Sequence, residues 1–196
     1  TMNYLSPLEM LYKWEHEKPN EIYLSQPING VWHNWTWKEV AMEVRKMATY
    51  LKDLNFPHGS KIALLSKNCA HWMMTDMAIM MSGYVSVPLY PNLNAASLEK
   101  ILKHSEAKLL FVGKLDDYSI MKPGVPSDLP CITFPFYSED YPKWNEVTKE
   151  ITPFKENIIR EPQDLATIIY TSGTTGDPKG VMHKFFNFSF ATTNAS

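Results

Sequence analysis

The apolar positions change period several times along the chain, and those changes divide it into elements. Leu8, Leu11, Tyr12 and Glu15 keep helical spacing until Pro19 closes the segment. Aromatic and β-branched runs over 22–26 and 31–35 flank Asn29-Gly30, a pair that favours a tight hairpin turn. Thr36-Trp-Lys-Glu39 then has the form of a capping box. Behind it Val40, Val44, Met47, Leu51 and Leu54 make one apolar stripe, which predicts a helix ended by Pro57-His-Gly59. From residue 61 the pattern alternates. Strands are predicted over 61–66, 84–89, 109–112, 131–134 and 166–170, and helices over 72–81, 95–104 and near 144–150. Strands alternating with helices imply an α/β layer with a mostly parallel sheet and flanking helices, plus the N-terminal hairpin. Such sheets bind ligands beyond the carboxyl ends of their strands.

Composition narrows the function classes. With 196 residues, 44% of them hydrophobic, the chain can bury a core, which excludes disordered and disulfide-scaffold classes. A net charge of −2 gives no attraction for nucleic acid, and only two of the 19 basic side chains, Arg45 and Arg160, are arginine. Cys69 and Cys131 lie far apart without metal-ligand spacing and read as buried thiols of a reducing compartment. Residues 1–4 carry no signal-like pattern, and the apolar stretch 72–89 is broken by Asp76, Gly83 and Pro88. The expectation is therefore a soluble cytoplasmic protein.

The informative loop follows the strand at 166–170. It reads Thr171-Ser172-Gly173-Thr174-Thr175-Gly176-Asp-Pro-Lys179-Gly180. Glycines let backbone N–H groups turn inward as a nest for anionic oxygens, and the hydroxyls of Thr171, Ser172, Thr174 and Thr175 can donate to the same oxygens. Lys179 adds a compact positive charge suited to a polyphosphate. Pro178 stiffens the exit toward a strand at Val181-Met182. A plain Gly/Ser/Thr surface turn does not explain a strand end, a hydroxyl cluster and a lysine in one place. The Walker P-loop fails on spacing, since Gly180 occupies the position of its Ser or Thr. The G-x-G-x-x-G fingerprint lacks its third glycine in frame.

This string resembles the phosphate-binding signature of the adenylate-forming superfamily of acyl-CoA synthetases, luciferases and peptide-synthetase adenylation domains. Gly59-Ser-Lys-Ile-Ala63, Asn68-Cys-Ala-His-Trp72, Gly83-Tyr-Val-Ser-Val-Pro88 and His104-Ser-Glu-Ala-Lys108 occur in that family's N-terminal order, and 66–92 resembles the long-chain fatty-acyl-CoA synthetase branch. The resemblance implies a two-step reaction. A carboxylate attacks the α-phosphate of ATP to give an acyl-adenylate and pyrophosphate, and coenzyme A thiol then displaces AMP. It implies that 171–176 and Lys179 hold the β- and γ-phosphates and that the Thr171 hydroxyl approaches Mg²⁺. It also implies that 1–196 is a partial N-terminal AMP-binding domain without the C-terminal domain, the catalytic residues lying downstream of Ser196. The expected partners are ATP, fatty acid and coenzyme A. Peripheral membrane contact of the parent and self-association of the fragment are compatible with that reading. The alternatives are a non-catalytic nucleotide-binding module and an adenylating enzyme for an aryl or amino acid. The run Met182-His-Lys-Phe-Phe-Asn187 departs from the family's T-H-R-N-like string, so no role is carried onto His183.

Other residues are read as structural. The six histidines (16, 33, 58, 71, 104 and 183) lack metal-ligand spacing and are expected to be surface or satisfied polar groups. Met73, Met74, Met77, Met80 and Met81 are expected in the core. Trp32, Trp35 and Trp37 are expected to pack inward, and Glu15-His16-Glu17 to be a solvated helix end.

Overall fold

The computed structural model describes residues 2–137, 139–170, 177–188 and 190–193. Strand β1 (Met2–Leu5) leads into α1 (Pro7–Glu17), whose N-terminus is closed by a Ser6–Glu9 capping box with Pro7 in the first turn. The hairpin β2 (Ile22–Ile28) and β3 (Val31–Thr36) turns through Asn29 and Gly30, both at positive φ (52° and 79°), as a two-residue turn requires. Thr36 caps α2 (Trp37–Asp53) in the expected reciprocal box, with Thr36 N–H donating to Glu39 at 3.0 Å and Glu39 N–H to Thr36 Oγ1 at 3.1 Å. The predicted stripe of α2 is wholly buried at Val40, Val44, Met47 and Leu51.

The α/β layer follows: β4 (Lys61–Leu65), α3 (Ala70–Met81), β5 (Val85–Leu89), α4 (Ala95–Ser105), β6 (Leu109–Val112), α5 (Tyr118–Met121), β7 (Cys131–Thr133), α6 (Trp144–Val147), β8 (Leu165–Tyr170), β9 (Gly180–Lys184) and β10 (Phe190–Thr193). Six strands form one sheet in the order β7-β6-β4-β5-β8-β9, parallel except for β9 against β8. Alternate side chains of β4 split between two cores. Ile62 and Leu64 meet Met74 and Met77 of α3, while Ala63 and Leu65 meet Leu98 and Leu102 of α4. No helix among the described residues is long and apolar enough to cross a membrane.

Several expectations are corrected. The helix near 144–150 is a single turn, because Thr148, Ile151, Thr152 and Pro153 resist helix. It forms where the buried Trp144 indole donates to Glu43 at 2.8 Å. The strand expected over 131–134 ends at Thr133. Strand β1, which pairs antiparallel with β10, has no local signal because its partner is nearly the whole chain away. Trp32 is 65% exposed on the hairpin, since its partner position Pro27 offers no packing layer. Trp35 and Trp37 do pack against the core, Trp37 from the first turn of α2, where it stacks on Tyr23 at 3.7 Å. Met73 is exposed, whereas Met74, Met77, Met80 and Met81 are core. Cys69 is only half-buried; Cys131 is buried, and both are free thiols.

Both arginines are architectural. Arg45 of α2 is buried and makes a fork on Glu15 of α1 (Nη2–Oε1 2.7 Å, Nε–Oε2 3.1 Å), so Glu15 is paired rather than merely solvated. Its remaining donors reach the Phe154 carbonyl at 2.9 Å and Asn157 Oδ1 at 2.7 Å. Arg160 donates to the carbonyls of Met80 (2.9 Å), in the last turn of α3, and Tyr84 (3.3 Å), just before β5. That contact fixes the segment that enters β8.

Candidate functional site

The sheet topology creates the site. From β4 the chain passes over one face through α3 to β5, and from β5 it passes over the opposite face through α4 to β6 on the far side of β4. The two connections leave adjacent strands in opposite directions and open a crevice at their carboxyl ends, the switch point where α/β sheets bind ligands. A cleft of about 500 Å³ lies there. Its walls are Ser66, Lys67 and Asn68 after β4, Pro88 to Pro91 at the end of β5, Trp72 of α3 and Ile169 of β8. Ser66 supports its floor: the hydroxyl donates to the Lys67 carbonyl at 2.7 Å and accepts from Lys114 N–H at 2.9 Å, tying the ends of β4 and β6 together. Lys67 pairs with Asp116 at 2.5 Å on the surface.

Strand β8 carries the chain to this edge. It joins the sheet beside β5, where Thr167 donates from Oγ1 to the Ser86 carbonyl at 2.8 Å. Its last residue, Tyr170, is buried, and its phenol oxygen lies 2.7 Å from His104 Nδ1 of α4. Thr171, Ser172, Gly173, Thr174, Thr175 and Gly176 lie outside the described residues. Asp177 and Lys179 are exposed, and Gly180 opens β9 opposite Tyr170. A Cβ on Gly180 would sit 2.5 Å from Ile168 Cγ2, so a close approach rather than an unusual φ demands glycine here. The strand expected at Val181-Met182 is therefore present and doubles back along β8. His183 on β9 is half-buried, its ring tilted against Phe188 at 5.8 Å.

His71 departs from the expectation of a satisfied polar group. It is buried among the rings of Trp35, Phe134, Phe136 and Trp144, and that burial pushes its pKa down to about 4. One helical turn further on, burial pushes the Asp76 carboxyl up to about 6. The Ser86 hydroxyl pulls it part of the way back without completing a hydrogen bond of ordinary geometry. Burial likewise raises both thiols, Cys131 to about 11, so neither behaves as a nucleophile at neutral pH.

The two perturbed groups oppose each other in acid. The unfolded chain takes up the His71 proton near pH 6.5 and the folded chain only near 4, so His71 makes stability fall as pH drops through that window. For Asp76 the folded state binds the proton first, so its contribution rises as pH drops from about 6 to 4. His71→Phe should unmask the Asp76 slope, giving a protein relatively more stable at pH 4 than at pH 6.5, by up to about 3 kcal/mol against wild type. Urea midpoints across pH 4–7 measure it; an unchanged profile would contradict the burial of His71.

A mostly parallel α/β sheet with a cleft at the carboxyl ends of its strands, lined by Ile169 of β8, is the architecture on which nucleotide-binding enzyme domains are built. The sequence matches the AMP-binding enzyme family over residues 11–196, and the chain belongs to that family. It is 28% identical over 179 residues to a long-chain-fatty-acid–CoA ligase of Mycobacterium bovis, covering 87% of this chain and 30% of that protein. It is 32% identical over 162 residues to long chain acyl-CoA synthetase 5 of Arabidopsis thaliana, covering 75% of this chain and 24% of that protein. Among solved structures, an anthranilate CoA ligase in complex with anthranoyl-AMP superposes with a TM-score of 0.77 at 22% identity, over 93% of this chain and 35% of that one, which establishes the shared fold. The chain thus spans less than a third of the length of these two curated relatives.

Sequence reasoning missed the contact between His104 and Tyr170. The two residues lie 66 positions apart and join across the sheet, so no local pattern could pair them.

Proposed function

We propose that the chain is the N-terminal, phosphate-binding part of an AMP-forming fatty acid–CoA ligase, with 1–196 a partial AMP-binding domain. The observation that carries this reading is the string 171–180 at the end of β8, beside the switch-point cleft. Thr171, Ser172, Gly173, Thr174, Thr175 and Gly176 would wrap the β- and γ-phosphates of ATP through hydroxyl and backbone N–H groups, with Lys179 balancing their charge. A donor set of hydroxyls, backbone groups and one lysine suits a phosphate chain and a hard cation. Mg²⁺ held mostly by phosphate oxygens, with Thr171 its contact from this chain, would supply further charge neutralisation. The work of this loop is positioning and charge stabilisation, which nucleotidyl transfer needs more than covalent help. The apolar wall of Trp72, Pro88, Leu89 and Ile169 gives a small co-substrate a place beside it. The names of the two relatives support a long-chain fatty acid as the carboxylate and coenzyme A as the thiol.

The test is acid-dependent exchange of pyrophosphate into ATP by the full-length parent. Exchange with long-chain fatty acids at least tenfold above benzoate or amino acids supports the reading. A preference for an aryl or amino acid reassigns the substrate, and no exchange with any acid leaves a binding module only. The 196-residue chain alone is expected to form no acyl-adenylate. Oriented reacting groups are worth about 7–11 kcal/mol, and half a site cannot orient both. Measurable exchange from a preparation free of the parent would refute that.

The exposed apolar side chains Val181 and Met182 of β9, and Phe186 just after it, lie at the β9 edge of the sheet. In the parent, the following polypeptide would cover this edge. The isolated chain is therefore expected to self-associate, as read by light scattering on a sizing column. A monodisperse monomer with high, reversible thermal stability would count against it.

A further inference from the structure

We propose that His104 is a positioning residue for the phosphate-binding loop, acting through Tyr170; the inference rests on the nucleotide reading above. Tyr170 ends β8 and Gly180 opens β9, and the two are paired, so the loop leaves and re-enters the sheet at one point. The Tyr170 ring covers that point. It is 4% exposed, and a Cβ on Gly180 would come within 3.2 Å of Tyr170 Cζ. What holds the ring is α4. His104, in its last turn, meets the Tyr170 phenol at 2.7 Å through Nδ1 and lies edge-on to the ring at 5.6 Å and 87°. The helix is itself fixed, capped by Asn94 and buried at Leu98, Ile101 and Leu102. Burial raises the phenol's pKa, so it stays protonated, and a protonated phenol can pair with Nδ1 as donor or as acceptor. The root of the loop is thereby braced on the opposite layer of the fold, at a residue that touches no phosphate itself. Small displacements of a binding group cost large factors in rate, and a single braced phenol holds the end of β8 from which the loop departs.

The experiment measures KM for ATP and for fatty acid, with kcat and Tm, in full-length His104→Ala, Tyr170→Phe, the double variant, His104→Asn and Lys179→Ala. His104→Ala and Tyr170→Phe should each raise KM for ATP about three- to tenfold and leave KM for the acid unchanged. The double variant should be no worse than the worse single one, because both remove the same contact. His104→Asn, whose amide reaches the place of Nδ1, should restore most of the affinity. Additive losses, no rescue by asparagine, or equal loss for ATP and acid would overturn the proposal in favour of a merely structural pair. A response to Lys179→Ala without one at positions 104 and 170 overturns this inference alone. No ATP response in any variant overturns the loop reading with it.

Discussion

Lys179→Ala in the full-length parent is expected to weaken ATP use roughly tenfold to a hundredfold, with affinity for the fatty acid nearly unchanged. A charge-assisted hydrogen bond to phosphate is worth about 1.5–3 kcal/mol, which sets that range. Lys179 is exposed and directly precedes the strand that doubles back along β8, so its loss removes a charge without opening a core. His183→Ala is the control. Its ring leans on Phe188 within the β9 region, and it should change ATP use much less. Steady-state kinetics with each substrate varied in turn separates the outcomes. Wild-type ATP dependence in Lys179→Ala, with collapsed fatty-acid binding, would mean that the loop serves the acid and not the nucleotide.

Arg45→Ala is expected to remove about 3 kcal/mol of folding stability, the largest single effect foreseen on the fold. The substitution leaves Glu15 without its fork partner and strips hydrogen bonds from the Phe154 carbonyl and Asn157, all around a side chain only 8% exposed. Breaking a buried ion pair by removing one partner costs about 3–5 kcal/mol; the partly exposed Glu15 places this case at the lower end. Domains of this kind are stable by about 5–15 kcal/mol, so the loss would be plain in a denaturant titration. Arg45→Lys should rescue little, because an ammonium cannot make the planar fork and reach the carbonyl of the 154–157 segment together. Full stability in the lysine variant would show that charge alone, not the fork, matters.

Local chemistry made much of the fold readable. Asn29-Gly30 needs positive φ, Thr36 and Glu39 need only each other, and the α2 stripe needs only a helix to become a buried face. The phosphate reading proposed for 171–180 comes from the sequence for the same reason, since its chemistry lies within ten consecutive residues. Errors arose where long-range neighbours decide. His71 and Trp32 are both amphipathic and locally ambiguous; one landed among four aromatic rings and the other on an open hairpin face. Glu15 read as solvated because its partner Arg45 sits on another helix.

The sequence by itself determined the alternation of strands and helices, the capped helix α2 and the hairpin, because each depends on residues a few positions apart. Only the tertiary structure decided the strand order β7-β6-β4-β5-β8-β9, the cleft between the ends of β4 and β5, the roles of Arg45 and Arg160, and the brace from His104 to Tyr170. Those depend on contacts made across many residues, whose geometry exists only once both faces of the sheet have been covered.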